Sequence, residues 1–200
     1  MRTPIPQMDE TDKISWEWGN EVLYRMCREE PGHTDRNKVA AKLWLIGRAY
    51  AAQIERRAGA TGDSEVLYAR VATKIVESDI DKWLEDVSHI NRPDISNLRQ
   101  ILSAHYNLTS LLQSVTKFYR RSLASKYLHF HQPLAFFIFD SRASTKIREK
   151  IGHRHIPLPA YSADQEYAAF VLRCMTYRDE KPAAEHNLTP RHLDQELLGY

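Results

Sequence analysis

Two residues near the middle of the chain, Lys126 and Asp140, pair an amine with a carboxylate. A desolvated lysine loses its proton more readily, and the neutral amine can attack a carbonyl-like carbon to give a Schiff base. A nearby aspartate can position such an amine or deprotonate it. Asp140 directly follows four apolar residues, 136–139, so we expect a core segment to carry this acid to a site. The alternative is a surface lysine and an aspartate that only caps the next helix.

A strongly basic segment surrounds this pair. Residues 117–154 contain nine Lys and Arg against two acids, a net charge of +7, while the whole chain carries only +2. A local excess of this kind attracts phosphate, which favours a nucleic-acid contact. A solvated basic face is the alternative interpretation.

Residues 117–121 combine aromatic and basic side chains, a composition that suits stacking on single strands. A helix end with arginines near its last carbonyls explains the same pattern.

Two His-x-His pairs are candidate metal ligands, His129/His131 and His153/His155. Two rings two residues apart diverge on a helix, and the first pair is predicted to be helical, so no metal site is predicted. The phosphate-binding loop, the dinucleotide fingerprint, Cys-x-x-Cys and Gly-x-Ser-x-Gly are all absent from the sequence, and no cofactor is predicted.

Gly47 lies inside a predicted helix, where a glycine is destabilising unless another group must approach the backbone closely. Arg48 beside it could bind a carboxylate or a phosphate, and a surface arginine next to a packing glycine is the alternative.

Length and composition favour one domain: 200 residues, 42% of them hydrophobic, suffice for a substantial core. No apolar run reaches the length of a membrane span, so no membrane partner is predicted. Cys27 and Cys174 are far apart, which favours a reducing cytoplasm. Residues 1–12 are predicted to form an N-terminal arm, and residues 13–200 a helical domain.

Apolar spacing predicts an all-α protein of seven to nine helices in a single globular domain, an arrangement that also allows two closely packed helical lobes. Thr34 or Asp35, Asp79, Asp140, Ser162 and Thr189 are the expected helix starts. The predicted helices cover about residues 14–30, 36–58, 62–76, 80–90, 96–115, 122–131, 141–151 and 163–177, with a last one from 190.

The order of Lys126, Pro133, the apolar run 136–139 and Asp140 resembles the end of the helix-hairpin-helix motif of DNA glycosylases of the 8-oxoguanine glycosylase type. The similarity covers about twenty residues in an all-helical background. It implies that Lys126 is a nucleophile and Asp140 its catalytic partner in excision of a base that has left the duplex stack. It also implies phosphate contacts from Arg120, Arg121, Arg142 and Lys146, and a pocket that includes Tyr127, Phe130 and Arg48.

Two other hypotheses stay open. Residues 118–125 contain no glycine, although a Gly-rich hairpin precedes the lysine in that superfamily, so the chain can also be a non-enzymatic helical module. Such a module would bind nucleic acid or a protein partner through the basic face. The third hypothesis is a small-molecule enzyme that uses Arg48 and Asp140 across a cleft between helices.

Overall fold

The computed structural model describes residues 16–55, 64–152, 154–182 and 188–199. In these ranges the protein is a single all-α domain without strands, as the sequence predicts. The predicted arm, residues 1–12, lies outside the described residues. The helices are α1 (Glu17–Glu29), α2 (Arg36–Ala49), α3 (Ser64–Val76), α4 (Ile80–Glu85), α5 (Leu98–Thr116), α6 (Arg121–His131), α7 (Ser141–Ile151), α8 (Gln165–Asp179) and α9 (Pro190–Leu198).

Helix α6 lies at the centre of the domain. Every side chain from Leu123 to Phe130 is buried, and the helix packs against α1, α2 and α5. A helix buried on all sides forces its polar residues to find partners inside the protein. Lys126 and His129 are buried because they lie on this central helix.

The apolar run after α6 joins two parts of the core. Phe136 packs in a cluster built mainly from α1 to α6, whereas Phe137 and Phe139 pack in a second cluster with α7, α8 and α9. The apolar segment of the sequence begins at Leu134, which is also predicted to be buried, but this residue is 37% exposed. The run forms neither helix nor strand, and it ends at Asp140, whose extended backbone precedes α7.

Three of the expected helix starts are confirmed by side-chain caps. Asp35 accepts hydrogen bonds from the N–H groups of residues 37 and 38. Asp140 caps α7, and Thr189 caps α9 with proline at the first helical position. Each oxygen satisfies a backbone donor that the helix itself leaves without an acceptor.

One expected start is wrong, and another is correct in position but lacks the expected side-chain bond. Helix α8 begins at Gln165, three residues after Ser162, and Asp164 is its cap because the carboxylate accepts from the N–H of Tyr167. Asp79 precedes α4 but makes no side-chain cap hydrogen bond.

Helix α2 is shorter than its apolar spacing predicts. It ends at Ala49, and Ala51 has a φ of +51°, in the left-handed region. The chain turns back so that the N–H of Ala52 donates to the carbonyl of Gly47 at 2.7 Å. A Cβ at Gly47 would lie 3.4 Å from Cα of Gln53, an ordinary contact distance, so the returning chain leaves room here for a methyl group but not for a large side chain.

The apolar spacing predicts that Trp18, Val22 or Leu23, and Cys27 of α1, Val66 of α3, and His105 or Tyr106 of α5 face the core. The stripe predicted for α3 is wrong: Val66 is 53% exposed, and the buried residues of this helix are Tyr68, Val71, Ala72 and Ile75. Leu23 and Cys27 of α1 are buried, but Trp18, assigned to the same stripe, is 77% exposed. In α5 the spacing left His105 and Tyr106 as alternatives, and the structure buries His105.

Candidate functional site

Lys126 holds its amine inside the protein. The side chain is 3% exposed, and Nζ donates hydrogen bonds to the carbonyl of Tyr50 at 3.1 Å and to Oγ of Ser122 at 3.0 Å. The amine also lies 5.7 Å from the centroid of the Tyr50 ring. These contacts fix the position of the nitrogen between α6 and the turn that follows α2.

Asp140 meets this amine while it caps α7. Its Oδ2 lies 3.7 Å from Nζ of Lys126, and its Oδ1 accepts from the N–H of Ala143 at 2.8 Å. The carboxylate is 28% exposed. The structure therefore places the predicted pair together, and Asp140 is both a helix cap and the partner of a buried amine.

One hydrogen bond in the core sets the register of this pair. The N–H of Phe139 donates to Oγ of Ser125 at 3.0 Å. Ser125 directly precedes Lys126, and Phe139 directly precedes Asp140. The bond fixes the segment before α7 against α6, so that the amine of Lys126 and the carboxylate of Asp140 lie close together.

Burial lowers the pKa of the Lys126 amine below its usual value, because desolvation disfavours the charged form. The carboxylates of Asp140 and Asp194 oppose this shift. A larger neutral fraction is what a nucleophilic lysine needs, since the lone pair and not the ammonium attacks carbon.

A small hollow of about 190 Å³ is connected to the amine only through Ser122, since Lys126 itself does not line it. Ser122, which accepts a hydrogen bond from Lys126, lines it together with Ala51 and Tyr119. The hollow is smaller than the 300 to 1,000 Å³ common for ligand pockets, so a base would require it to widen.

A larger cleft of about 500 Å³ lies elsewhere on the domain. It is bordered by Tyr24, Phe130, His131 and Arg191 and by the start of α9. Phe130, predicted to line a pocket, therefore borders a cleft, but neither Lys126 nor Asp140 does.

The arginines predicted to contact phosphate from the start of α6 have internal partners. Arg120 donates to the carbonyl of Ile54 at 2.6 Å. Arg121 binds both carboxylate oxygens of Asp164 at 2.8 Å and pairs with Glu166 at 2.8 Å. Both guanidinium groups are thus bound to acceptors within the protein and not directed to a phosphate.

The two predicted contacts on α7 are at the surface. Arg142 is exposed, and Lys146, also exposed, pairs with Glu149 at 2.8 Å. An exposed pair at i, i+3 is worth little, so Lys146 remains able to meet a phosphate.

The other predicted pocket residues have contacts of their own. Tyr127 is buried, and its ring stacks on His131 with centroids 4.7 Å apart. Arg48 pairs with Glu55 at 2.6 Å and lies over the ring of Trp44. The small-molecule hypothesis required Arg48 and Asp140 to face one cleft, and neither borders the two cavities described above.

The first His-x-His pair points to different surroundings. His129 Nδ1 donates to the carbonyl of Phe136 at 2.8 Å, and its Nε2 accepts from the hydroxyl of Tyr24 at 2.6 Å. His131 Nδ1 donates to the carbonyl of Tyr127 at 3.0 Å. Among the residues that the structure describes, no cluster of three or more His, Cys, Asp or Glu side chains is arranged to hold a metal ion.

A chain of polar side chains that runs from the exposed Asp81 into the protein escaped the sequence reasoning. The carboxylate of Asp81 accepts from Nδ1 of His33 at 2.5 Å, and the His33 ring lies 4.8 Å from that of His131, whose Nε2 accepts from Nζ of Lys42 at 3.2 Å. These residues come from separate helices and loops and share no sequence motif. Burial lowers the pKa values of His33, His131 and Lys42.

Comparison with known proteins returned no match to a protein-family model, a curated protein or a solved structure. Within the described residues, none of the helices has both the length and the apolar character that a membrane crossing requires.

Proposed function

We propose that this chain is a DNA-binding protein of the base-excision type, in which Lys126 forms a Schiff base with the sugar of an extrahelical nucleotide. The observation that carries the proposal is the 3.7 Å separation of Nζ of Lys126 from Oδ2 of Asp140, with the amine desolvated. The resemblance to helix-hairpin-helix glycosylases implies this pair, and the two residues meet in space.

The chemistry follows from the two side chains. The neutral amine of Lys126 adds to the aldehyde carbon of an open abasic sugar, and loss of water from the adduct leaves a protonated imine. Asp140 accepts the proton that the ammonium must lose before attack, and it stabilises the positive charge of the imine afterwards. No cofactor is needed for this step.

Access to the amine requires a local rearrangement. Ser122 and the carbonyl of Tyr50 bind the nitrogen, and the side chain is 3% exposed. DNA binding must therefore displace Ser122 or the turn at Ala51, which together line the hollow.

Borohydride trapping on DNA that contains an abasic site tests this proposal, because reduction converts the imine into a stable covalent adduct. We expect an adduct with the wild-type protein, no adduct with Lys126→Met and slower formation with Asp140→Asn. Lys42→Met is the matched control: Lys42 is also buried and has a lowered pKa, but it has no carboxylate within 4.0 Å among the described residues. Absence of an adduct, or an adduct that persists in Lys126→Met, rules out the enzymatic proposal.

A second candidate is a non-enzymatic module that binds nucleic acid through α7. The observation that favours it is the exposed basic side chains on this helix, among them Arg142 and Lys146. Binding through phosphate contacts should weaken steeply as salt concentration rises.

Charge reversal separates this surface from a general charge effect. Lys146→Glu should weaken DNA binding and reduce its salt dependence, whereas Lys74→Glu should not. The two lysines are closely matched, since Lys74 also pairs with a glutamate at i+3 and is similarly exposed. Equal losses in both variants would refute a specific role for α7, and no binding even at low salt would leave a protein partner as the remaining hypothesis.

A further inference from the structure

The connection from α5 to α6, residues 117–120, presents two neighbouring aromatic rings to solvent and is called the aromatic loop below. Phe118 is 40% exposed and Tyr119 is 60% exposed. Two consecutive exposed aromatic residues point to a binding role more strongly than a single exposed ring does.

Both rings are held by guanidinium groups that have their own fixed partners. The guanidinium of Arg120 lies 5.0 Å from the centroid of the Phe118 ring and donates to the carbonyl of Ile54. The guanidinium of Arg121 lies 6.0 Å from the centroid of Tyr119 while Nε binds Asp164. Each ring thus lies near a guanidinium that is itself held in place, and each ring remains partly exposed.

The backbone of the aromatic loop is also fixed. Lys117 adopts the left-handed conformation at a φ of +64°, and its N–H closes α5 by donating to the carbonyl of Gln113 at 2.8 Å. The side chain of Thr116 is within hydrogen-bond distance of both the N–H and the carbonyl of Phe118. A loop ordered before binding loses little conformational entropy when a ligand arrives.

The position of the aromatic loop relates it to the candidate site. Tyr119 lines the hollow of about 190 Å³, and Ser122, which binds the amine of Lys126, lines the same hollow. A DNA strand stacked on the aromatic loop would therefore pass close to Ser122, which covers this amine.

We propose that the aromatic loop stacks the unpaired bases of single-stranded DNA, so that the preferred substrate has unpaired nucleotides next to the Lys126 site. Only unpaired bases offer a free face to Phe118 and Tyr119. Lys117 directly precedes these residues and is exposed; its Nζ donates to the carbonyl of Ser114 and keeps further donors for the phosphates. The inference rests on the nucleic-acid part of the proposed function and does not depend on whether Lys126 reacts.

Fluorescence anisotropy with a labelled oligothymidylate strand, and with the same strand paired to its complement, tests the inference. We expect the single strand to bind more tightly than the duplex. Phe118→Ala and Tyr119→Ala should each weaken single-strand binding by roughly 5- to 100-fold, the usual effect of losing one base–aromatic stack, and leave duplex binding unchanged. Tyr119→Trp, which keeps an aromatic ring at this position, should bind the single strand about as tightly as the wild type does.

Trp44→Ala is the matched control, because Trp44 is also exposed and has a guanidinium, that of Arg48, over its ring at 5.9 Å, but it does not line the hollow. This variant should bind the single strand like the wild type. If the wild type binds DNA, and Phe118→Ala and Tyr119→Ala both bind the single strand as tightly as the wild type does, the aromatic loop is not the stacking surface. That result leaves the proposed function unaffected. If the wild type binds neither single-stranded, duplex nor abasic DNA, the proposed function fails and the inference fails with it.

Discussion

Acid should destabilise this protein at a pH where most of its carboxylates are still charged, because two histidines are held neutral in the core. Burial lowers the pKa of His105 and of His129 to about 4. Nε2 of His105 bonds to the carbonyl of Arg121, so its Nδ1, buried and without a hydrogen-bond partner among the described residues, would have to carry the second proton. In His129 both ring nitrogens are already engaged, with Phe136 and Tyr24.

The direction and size of the effect follow from proton linkage. An unfolded histidine takes up a proton near pH 6.5, whereas these two stay neutral in the folded state down to about pH 4. Stability is therefore full above pH 6.5 and falls as the pH drops towards 4. Each histidine contributes about 1.4 kcal/mol per pH unit, or roughly 3 kcal/mol across the window.

Urea unfolding at a series of pH values measures this decline, and His105→Phe isolates one contribution. Phenylalanine keeps the stack on Tyr167, whose centroid lies 3.6 Å from that of His105, but it cannot be protonated. At neutral pH we expect a loss of about 1 kcal/mol, because the Arg121 carbonyl loses its hydrogen-bond partner. Below pH 6 the free energy of unfolding of the variant should fall less steeply than that of the wild type.

The exposed His192 provides the control, and His192→Gln should follow the wild-type curve. Parallel curves for wild type and His105→Phe would mean that His105 becomes protonated without cost in the folded protein. The reasoning about its burial would then be wrong.

Three further predictions concern stability at neutral pH, each measured by urea unfolding. Asp35→Ala should lose about 1 kcal/mol with its helix cap, whereas Asp79→Ala, which removes no cap hydrogen bond, should change little; equal effects would contradict the cap assignments. Gly47→Ala should be neutral or stabilising by up to about 1 kcal/mol because its Cβ meets Gln53 at ordinary contact distance, and a Gly47→Leu variant that is equally stable would refute the close approach. Ser125→Ala should cost about 1 to 3 kcal/mol, since the buried N–H of Phe139 loses its acceptor, and an unchanged unfolding midpoint would refute that bond.

Local patterns predicted much of the fold. The caps Asp35, Asp140 and Thr189 could be found because each is a polar residue placed directly before a helical apolar pattern. The end of α2 could not be found in this way. Ile54 continues the apolar spacing of α2 and is fully buried, but it reaches the core from the turn after the helix. The apolar spacing therefore predicts correctly that Ile54 is buried, but it predicts a helix where the chain forms a turn.

The partners of the candidate site depend on contacts between distant parts of the chain. Nothing near Arg121 in sequence indicates that Asp164 will bind it. The sequence therefore predicts a basic segment that faces phosphate, whereas in the structure Asp164 neutralises part of the charge of that segment. Likewise, the Tyr50 carbonyl that holds Lys126 belongs to the turn that the sequence placed inside α2.

Burial of a lysine is not by itself a sign of catalysis in this protein. Lys42 and Lys126 are both buried and both have lowered pKa values. Lys42 hydrogen-bonds to the carbonyl of Gly32 and to His131, whereas Lys126 has a carboxylate at 3.7 Å that is itself partly exposed. A buried amine whose acidic partner reaches solvent can exchange its proton through that partner. That difference, rather than desolvation, distinguishes Lys126 as the residue on which to test chemistry.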